Sequence, residues 1–367
     1  MELTVINKDD KNFESYWMNF LQDFQVESPF YSQLWRKYQI AYSGNTLLKD
    51  ISTILVDSTN TPVLICPLYL EEYDGVKQLS YRGGYLNVLR APLFSRDISH
   101  KRRHKVETYF FELLNEYAKV YKIKKICFLI DPLCQIFEEE RYNYLNKYGF
   151  FDCSMQTRII DLQQSVEELW SKIRKSIKPM INKQYKVYKI SVIDSNCDTK
   201  IIEEKHKVYK ELHHKTAGRI TRPLQTFDLQ LEMLKNNESF MIEVLYKGRT
   251  VCINYFIHSK YSGYYASSAD DPDFKAEVST NHALQWQAIK HLKKLGAKYF
   301  ELDNQYFGEQ IFEHPSAKEI NISIFKSAFG GKNVPIFRGI KYYDRELFKK
   351  EMNTNLELSI ASFSQLN

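Results

Sequence analysis

The chain has 367 residues, 44% of them hydrophobic and 26% charged, an ordinary globular make-up with length enough for two cores. It carries 26 Tyr and 23 Phe against only 13 Gly and 10 Pro, which excludes a collagenous or low-complexity chain. A net charge of +6 fits phosphate-bearing ligands such as tRNA, nucleotide sugars or coenzyme A, and selects none of them.

In chain order, hydrophobic patterning predicts an aromatic-rich helix over 29–42, strands over 51–56, 62–71 and 77–81, a long helix over 101–121 and an apolar strand over 125–130. The second half follows a similar plan. A helix begins near Val166, with Ser165 and Glu168 at capping-box spacing, and a strand follows over 186–193. Helical stretches at 198–217 and 227–235 precede a hairpin, 240–246 with 250–258, turned by Lys247-Gly248-Arg249. Next come a strand over 263–267, a helix over 280–295 stopped by Gly296, and a strand over 298–302 leading to Asp303. The alternating run Ile320-Asn321-Ile322-Ser323-Ile324 reads as a strand that delivers Lys326 between Phe325 and Phe329 and ends at Gly330-Gly331. The repeated hairpin, strand, long helix, strand order points to a duplicated mixed α/β unit: a first domain at 1–160, a second at 161–345 and a tail at 346–367.

The six cysteines show no C-x-x-C spacing and no pairing with histidine, so reduced thiols and no metal site are expected. No stretch reaches the roughly 18 apolar residues of a membrane span, and Met1-Glu2-Leu3-Thr4-Val5 does not read as a leader. The expectation is a cytoplasmic protein whose membrane contact, if any, is peripheral.

Residue types then mark candidate positions. Arg174, Lys175, Lys178 and Lys183 place four cations within ten residues, forming either a solvated face or a phosphate site. Arg219 and Arg222 bracket Thr221 with two guanidinium forks suited to carboxylates or phosphates. His213 has the residue type of a general base, and equally of a helix-end histidine. Asp303 ends a strand, where crevices of α/β sheets lie. Ser268 and His282 flank the start of a helix that could receive an anion. Arg82 and Tyr85 surround Gly83-Gly84, a loop open to close ligand approach.

Four patterns occur in order: Trp170-Ser171-Lys172-Ile173-Arg174-Lys175 through Asn182, then Leu212-His213-His214 through Arg222-Pro223, then 298–303, and finally Phe325-Lys326-x-x-Phe329-Gly330-Gly331. Together they resemble the FemABX group of the GNAT acyltransferase superfamily, including its polysaccharide-associated branch. The resemblance implies an α/β fold of two tandem GNAT-like domains facing a shared cleft. It also implies transfer of an acyl or aminoacyl group to an amine of a cell-wall or surface-polysaccharide precursor. Aminoacyl-tRNA is the favoured donor, no cofactor is held permanently, and no DNA is involved. On this reading Lys326 steadies the reacting ester, Asp303 or His213 handles the proton, and Arg174, Lys175, Asn182, Arg219, Thr221, Arg222, Ser268, His282, Phe325, Arg82 and Tyr85 contact substrate. The stretch 269–282 lacks the glycine-rich loop of ordinary GNAT enzymes and is acidic, which argues against coenzyme A bound in their manner. Two other readings stay open: an N-acetyltransferase for amino sugars that uses acyl-CoA or an acyl carrier, and a non-catalytic RNA- or glycan-binding protein.

Overall fold

The computed structural model describes residues 2–23, 28–83, 88–135, 141–275 and 277–363. Its first half runs β1 (Leu3–Asn7), α1 (Phe13–Asp23), α2 (Gln33–Ser43), β2 (Leu47–Asp50), β3 (Thr53–Asp57), β4 (Pro62–Cys66), β5 (Tyr69–Tyr73), β6 (Val76–Leu79), β7 (Leu89–Arg90), β8 (Leu93–Phe94), α3 (His100–Tyr121), β9 (Lys125–Leu129), α4 (Pro132–Gln135) and β10 (Phe151–Asp152). The run 62–71, read above as one strand, is two strands in different sheets. Pro67 has no amide to give a ladder, so the chain leaves β4 in the sheet β1-β3-β4-β8 and enters a second sheet as β5. Helix α3 is capped by the Ser99 hydroxyl and lays Val106, Phe110, Leu114 and Ala118, an i, i+4 stripe, into the core of this half.

The second half contributes β11 (Met155–Asp161), α5 (Val166–Lys172), α6 (Lys178–Val187), β12 (Lys189–Ile193), α7 (Thr199–Ala217), α8 (Gln225–Lys235), β13 (Ser239–Tyr246), β14 (Arg249–His258), β15 (Ser262–Asp270), α9 (Asn281–Lys294), β16 (Tyr299–Gln305), α10 (Ala317–Ser327), β17 (Lys332–Ile336), β18 (Arg338–Tyr342) and α11 (Arg345–Phe363). Its sheet has the order β12-β13-β14-β15-β16-β11-β17. The β13/β14 hairpin closes on Lys247 and Gly248 with φ of +49° and +81°, the left-handed pair that matches strand twist. Strands β15 and β16 are parallel, joined through α9, and pair only over Ser262–Tyr264 against Tyr299–Glu301. Beyond that point β15 stays with β14 and β16 stays with β11, so a wedge opens between them.

One strand crosses between the halves. β11 lies inside the second-half sheet, whereas β18 crosses back to pair with β9 and β10 of the first half. The halves are therefore tied through backbone ladders at both ends of the crossing.

The run from Ile320 is helix α10 and not a strand. Ser316 and Glu319 form a reciprocal capping box that starts a helix, so the isoleucines wind around an axis. Ile322 and Ile324 consequently face solvent, while Ser323 and Lys326 are buried toward β16. The turn after α10 depends on Gly331, which has φ of +77° and whose missing Cβ would lie 2.5 Å from the Ile159 carbonyl oxygen. Gly331→Ala should cost about 1–3 kcal/mol through left-handed strain and that collision. A thermal melt reads the loss; a wild-type midpoint would show that the turn has slack the structure does not suggest.

Candidate active site

Where β15 and β16 separate, a cavity of about 230 Å³ opens between the halves. Tyr264, Ala266 and Ser267 of β15, Glu301, Asp303 and Asn304 of β16, and Arg222 form one wall; Phe30, Trp35, Tyr38, Tyr42, Tyr81 and Arg90 form the other. Asp303 sits in a β-bulge. Glu301 pairs with Ile159 and Asn304 with Thr157, leaving Leu302 and Asp303 opposite Arg158 alone. Its φ is +64°, a left-handed conformation that aspartate tolerates better than most residues but that still carries strain.

The surroundings hold Asp303 there. Lys326 Nζ donates to Asp303 Oδ2 at 3.3 Å and to the Asn304 carbonyl at 3.2 Å, and the Tyr264 hydroxyl donates to Oδ1 at 2.8 Å. Enclosure by the cavity walls pushes this carboxyl up, but the Lys326 ammonium, with the Asn304 amide and the Tyr264 hydroxyl, outweighs it and holds the group below the usual carboxylate range. Lys326, expected to face a reacting carbonyl, is thus turned onto Asp303 and lies behind the cavity wall at 5% exposure.

Glu301 is the counterpart that patterning missed. It shares a cavity wall with Asp303, two residues on, and is 2% exposed. Its Oε2 has no hydrogen-bond partner among the described residues. Burial, then the nearby Asp131 carboxylate, push it up to about 8 against the pull of Arg90. Arg90 is shared, standing 3.6 Å from Asp131 Oδ2 with its guanidinium 3.9 Å from the Phe30 ring centre. The available signal was an acid two residues before Asp303 inside an apolar strand, a position that must find a polar cavity or a partner.

Of the expected ligand residues, Arg222 reaches the cavity. Its Nη2 donates to Tyr209 Oη at 3.2 Å and Gln230 Oε1 at 2.8 Å, and the guanidinium lies 4.2 Å from the Phe227 ring centre. Arg82 bridges the halves from the rim, Nη1 donating to the Thr221 carbonyl at 2.6 Å. His213 packs behind, its Nε2 3.0 Å from the Thr221 hydroxyl, and burial with the Arg222 charge pushes it down to about 4. It is a neutral packing group there, not among those lining the cavity. Arg219 is exposed on the following loop.

Three residues gather elsewhere, near the start of α9. Ser268 bonds to Asp270, and His282 pairs with the Ser279 hydroxyl at 2.9 Å and packs on Phe325 at 5.0 Å between ring centres. At this helix end Asp270 Oδ1 accepts from Thr280 Oγ1 at 3.2 Å and Asn281 Nδ2 at 3.1 Å, while Gln184 Oε1 takes the Ala283 amide at 2.6 Å. The Ala283 amide, one of the donors that would cradle an anion there, is thus engaged by the protein's own oxygen, and Asp270 places a carboxylate at the same end. Arg174, Lys175 and Asn182 are exposed on the α5–α6 segment, and Tyr85 lies outside the described residues.

No family model and no curated protein matches this chain. Solved structures do. The chain superposes on FemX with a TM-score of 0.67 at 11% identity, over 96% of this chain and 100% of that one. It matches L-PGS from Bacillus licheniformis with a TM-score of 0.56 at 12% identity, covering 93% and 96% of the two chains. A tandem GNAT protein from the clavulanic acid biosynthesis pathway gives a TM-score of 0.51 at 7% identity, covering 93% and 98%. The fold is FemX-like, with two tandem GNAT-like units. At these identities the likeness is one of fold, and the chemistry rests on the cavity.

The two acids make opposite demands on stability. A carboxyl raised from 4.5 to about 8 binds its proton more tightly in the folded state, so its contribution is full below pH 4.5 and is lost as pH rises toward 8. Glu301→Gln should therefore gain on the wild type with increasing pH across that window and level off above it. Melting both proteins from pH 5 to 9 tests this; a constant difference would mean that Glu301 is ionised throughout.

Proposed function

We propose that this protein is an acyl- or aminoacyltransferase that forms an amide on an amine presented in the cleft. The observation that carries the reading is the pair of unlike acids on one cavity wall, Asp303 held by Lys326 and Tyr264 and Glu301 buried without a hydrogen-bond partner for its Oε2 among the described residues, where β15 and β16 diverge in a FemX-like fold. Asp303 anchors the incoming ammonium. Glu301, matched to an amine better than an ordinary carboxylate, takes its proton. The freed nitrogen attacks the donor carbonyl; the C–N bond forms as the ester C–O bond breaks, and the second amine proton passes to the leaving hydroxyl. Lys326 acts through Asp303, keeping it ionised and oriented, and is a positioning residue.

The first-half wall of Trp35, Tyr38, Tyr42 and Tyr81 suits the flat faces of a sugar, which supports an amine of a glycan or peptidoglycan-type precursor as acceptor. An aminoacyl ester, as on charged tRNA, is favoured as donor because Asp270 and Gln184 engage the α9 terminus. Likeness to a tandem GNAT protein described without AcCoA favours the second reading, a thioester-dependent acetyltransferase.

The test incubates the protein with mixed aminoacyl-tRNA or acetyl-CoA, each with a UDP-linked muramyl peptide or a UDP-linked amino sugar, and reads products by mass spectrometry. Transfer from charged tRNA is expected, with Asp303→Asn and Glu301→Gln each slower by about 10²-fold or more. Asparagine keeps the left-handed backbone, so that loss reports charge. The wild-type rate should rise through a limb near pH 8 that Glu301→Gln lacks. Transfer from acetyl-CoA alone would move the protein to the second reading. Ligand binding without any transfer would make it a binding protein.

A further inference from the structure

The chain's charge is segregated. Between Leu169 and Ile193 there are seven cations, Lys172, Arg174, Lys175, Lys178, Lys183, Lys186 and Lys189, and no Asp or Glu. Set against the net +6 of the whole chain, that one segment leaves the remainder at −1. The structure spreads these side chains over α5, the turn after it, α6 and, for Lys189, the first residue of β12, all exposed except the partly exposed Lys178. None forms an ion pair among the described residues; Glu168, nearest in sequence and one turn from Lys172, which it attracts, is committed to its capping box.

Such a face is unusual because surface cations normally intersperse with acids. It also reaches the end of α10, behind the cavity wall. The Arg174 amide donates to the Ala328 carbonyl at 2.9 Å and its Nη2 to Ser327 Oγ at 3.0 Å, at the end of α10 that carries Lys326. Arg158 joins the like charges there, held by the carbonyls of Gly330 at 2.5 Å and Gly331 at 3.1 Å. Two aromatic rings interleave: Trp170 beneath Lys178 at 5.6 Å and the exposed Tyr185 beside Lys290 at 5.0 Å.

We infer that the α5–α6 face is a docking surface for the phosphodiester backbone of RNA. Seven cations without a carboxylate partner, following one another through α5, the turn, α6 and the start of β12, match a repeating line of phosphates rather than a single anion, and rings among them offer stacking platforms. A bilayer is the poorer fit. A membrane-seated face needs protruding apolar side chains, and the most exposed ones on this face, Val187 and Met180, reach only 39% and 38%. The inference rests on the transferase reading for what the RNA delivers, but binding is measured without any reaction, so the two fail separately.

The experiment is fluorescence anisotropy with labelled, deacylated bulk tRNA across a KCl series, on the whole chain. Three proteins are compared: wild type, Lys175→Glu with Lys183→Glu and Lys186→Glu, and a control of equal charge change on α3, Lys101→Glu with Lys105→Glu and Lys119→Glu. Wild type should bind with a log–log salt slope of about −3 to −5. The α5–α6 variant should lose at least about 30-fold while the α3 control keeps its affinity. Because the altered lysines are exposed and unpaired, the melting midpoint should hold; if it falls, Lys175→Glu and Lys183→Glu alone should each still weaken binding several-fold. Equal losses in both triple variants, or none in the α5–α6 variant, would overturn the assignment. So would binding to phosphatidylglycerol vesicles that needs the same lysines and that tRNA does not displace.

Discussion

The ion pair between Lys326 and Asp303 is the constraint on which the cleft depends. Asp303 occupies a left-handed conformation inside a strand, which survives only where its surroundings over-determine it. Lys326 supplies one restraint on the carboxylate and a second on the neighbouring Asn304 carbonyl; Tyr264 supplies a third from the facing strand. That third bond can form only because β15 and β16 have just parted, giving the tyrosine room to turn toward the wedge. The bulge, the divergence of the strands and the cation behind them are therefore one device.

Helix α10 must be in the right phase for that device to assemble. The Ser316–Glu319 box fixes where the helix starts, and ten residues on from Ser316 its turn brings Lys326 beneath β16. Ser323, one turn earlier on the same face, accepts the Tyr306 amide at 2.8 Å and donates to the Glu319 carbonyl, docking the helix against the chain leaving β16. An exposed capping box thus sets the charge state of a carboxylate in the cavity. Glu301, on the same strand, lacks such a cation of its own and shares Arg90 with Asp131. Two acids two residues apart are shifted in opposite directions by what stands behind each of them, a common arrangement in acid–base chemistry.

Local signals in the amino-acid sequence were enough to read α5, the β13/β14 hairpin and α9, because a capping box, a left-handed turn and a terminal glycine act within a few residues. The same logic should have revealed α10, whose S-x-x-E box is as clear as that of α5; alternating isoleucines concealed it, since period two and a half-exposed helix look alike over five residues. Long-range pairing was illegible. Nothing local tells β18 to return to the first-half sheet or splits 62–71 between two sheets beyond the single cue of Pro67. Asp303 was found because it ends a strand, and Arg222 because paired arginines draw attention. Glu301 was passed over inside an apolar run, and His213 was selected for a residue type whose burial only the tertiary structure shows.

The crossing of β18 explains how a cleft between two units can hold a fixed geometry at all. An interface between tethered domains ordinarily permits relative motion. Here β18 is hydrogen-bonded between β9 and β10 while β17, just before it, completes the other sheet on β11, so the halves cannot separate without breaking ladder bonds. Arg82 on Thr221 and the Phe30–Tyr264 ring contact at 4.8 Å add crossings at the cavity itself. With the halves fixed to one another, the aromatic wall of the first and the acidic wall of the second face each other at a set distance. Selection among ligands must then come from the shape and charge of the cavity and its approaches rather than from closure of one domain on the other.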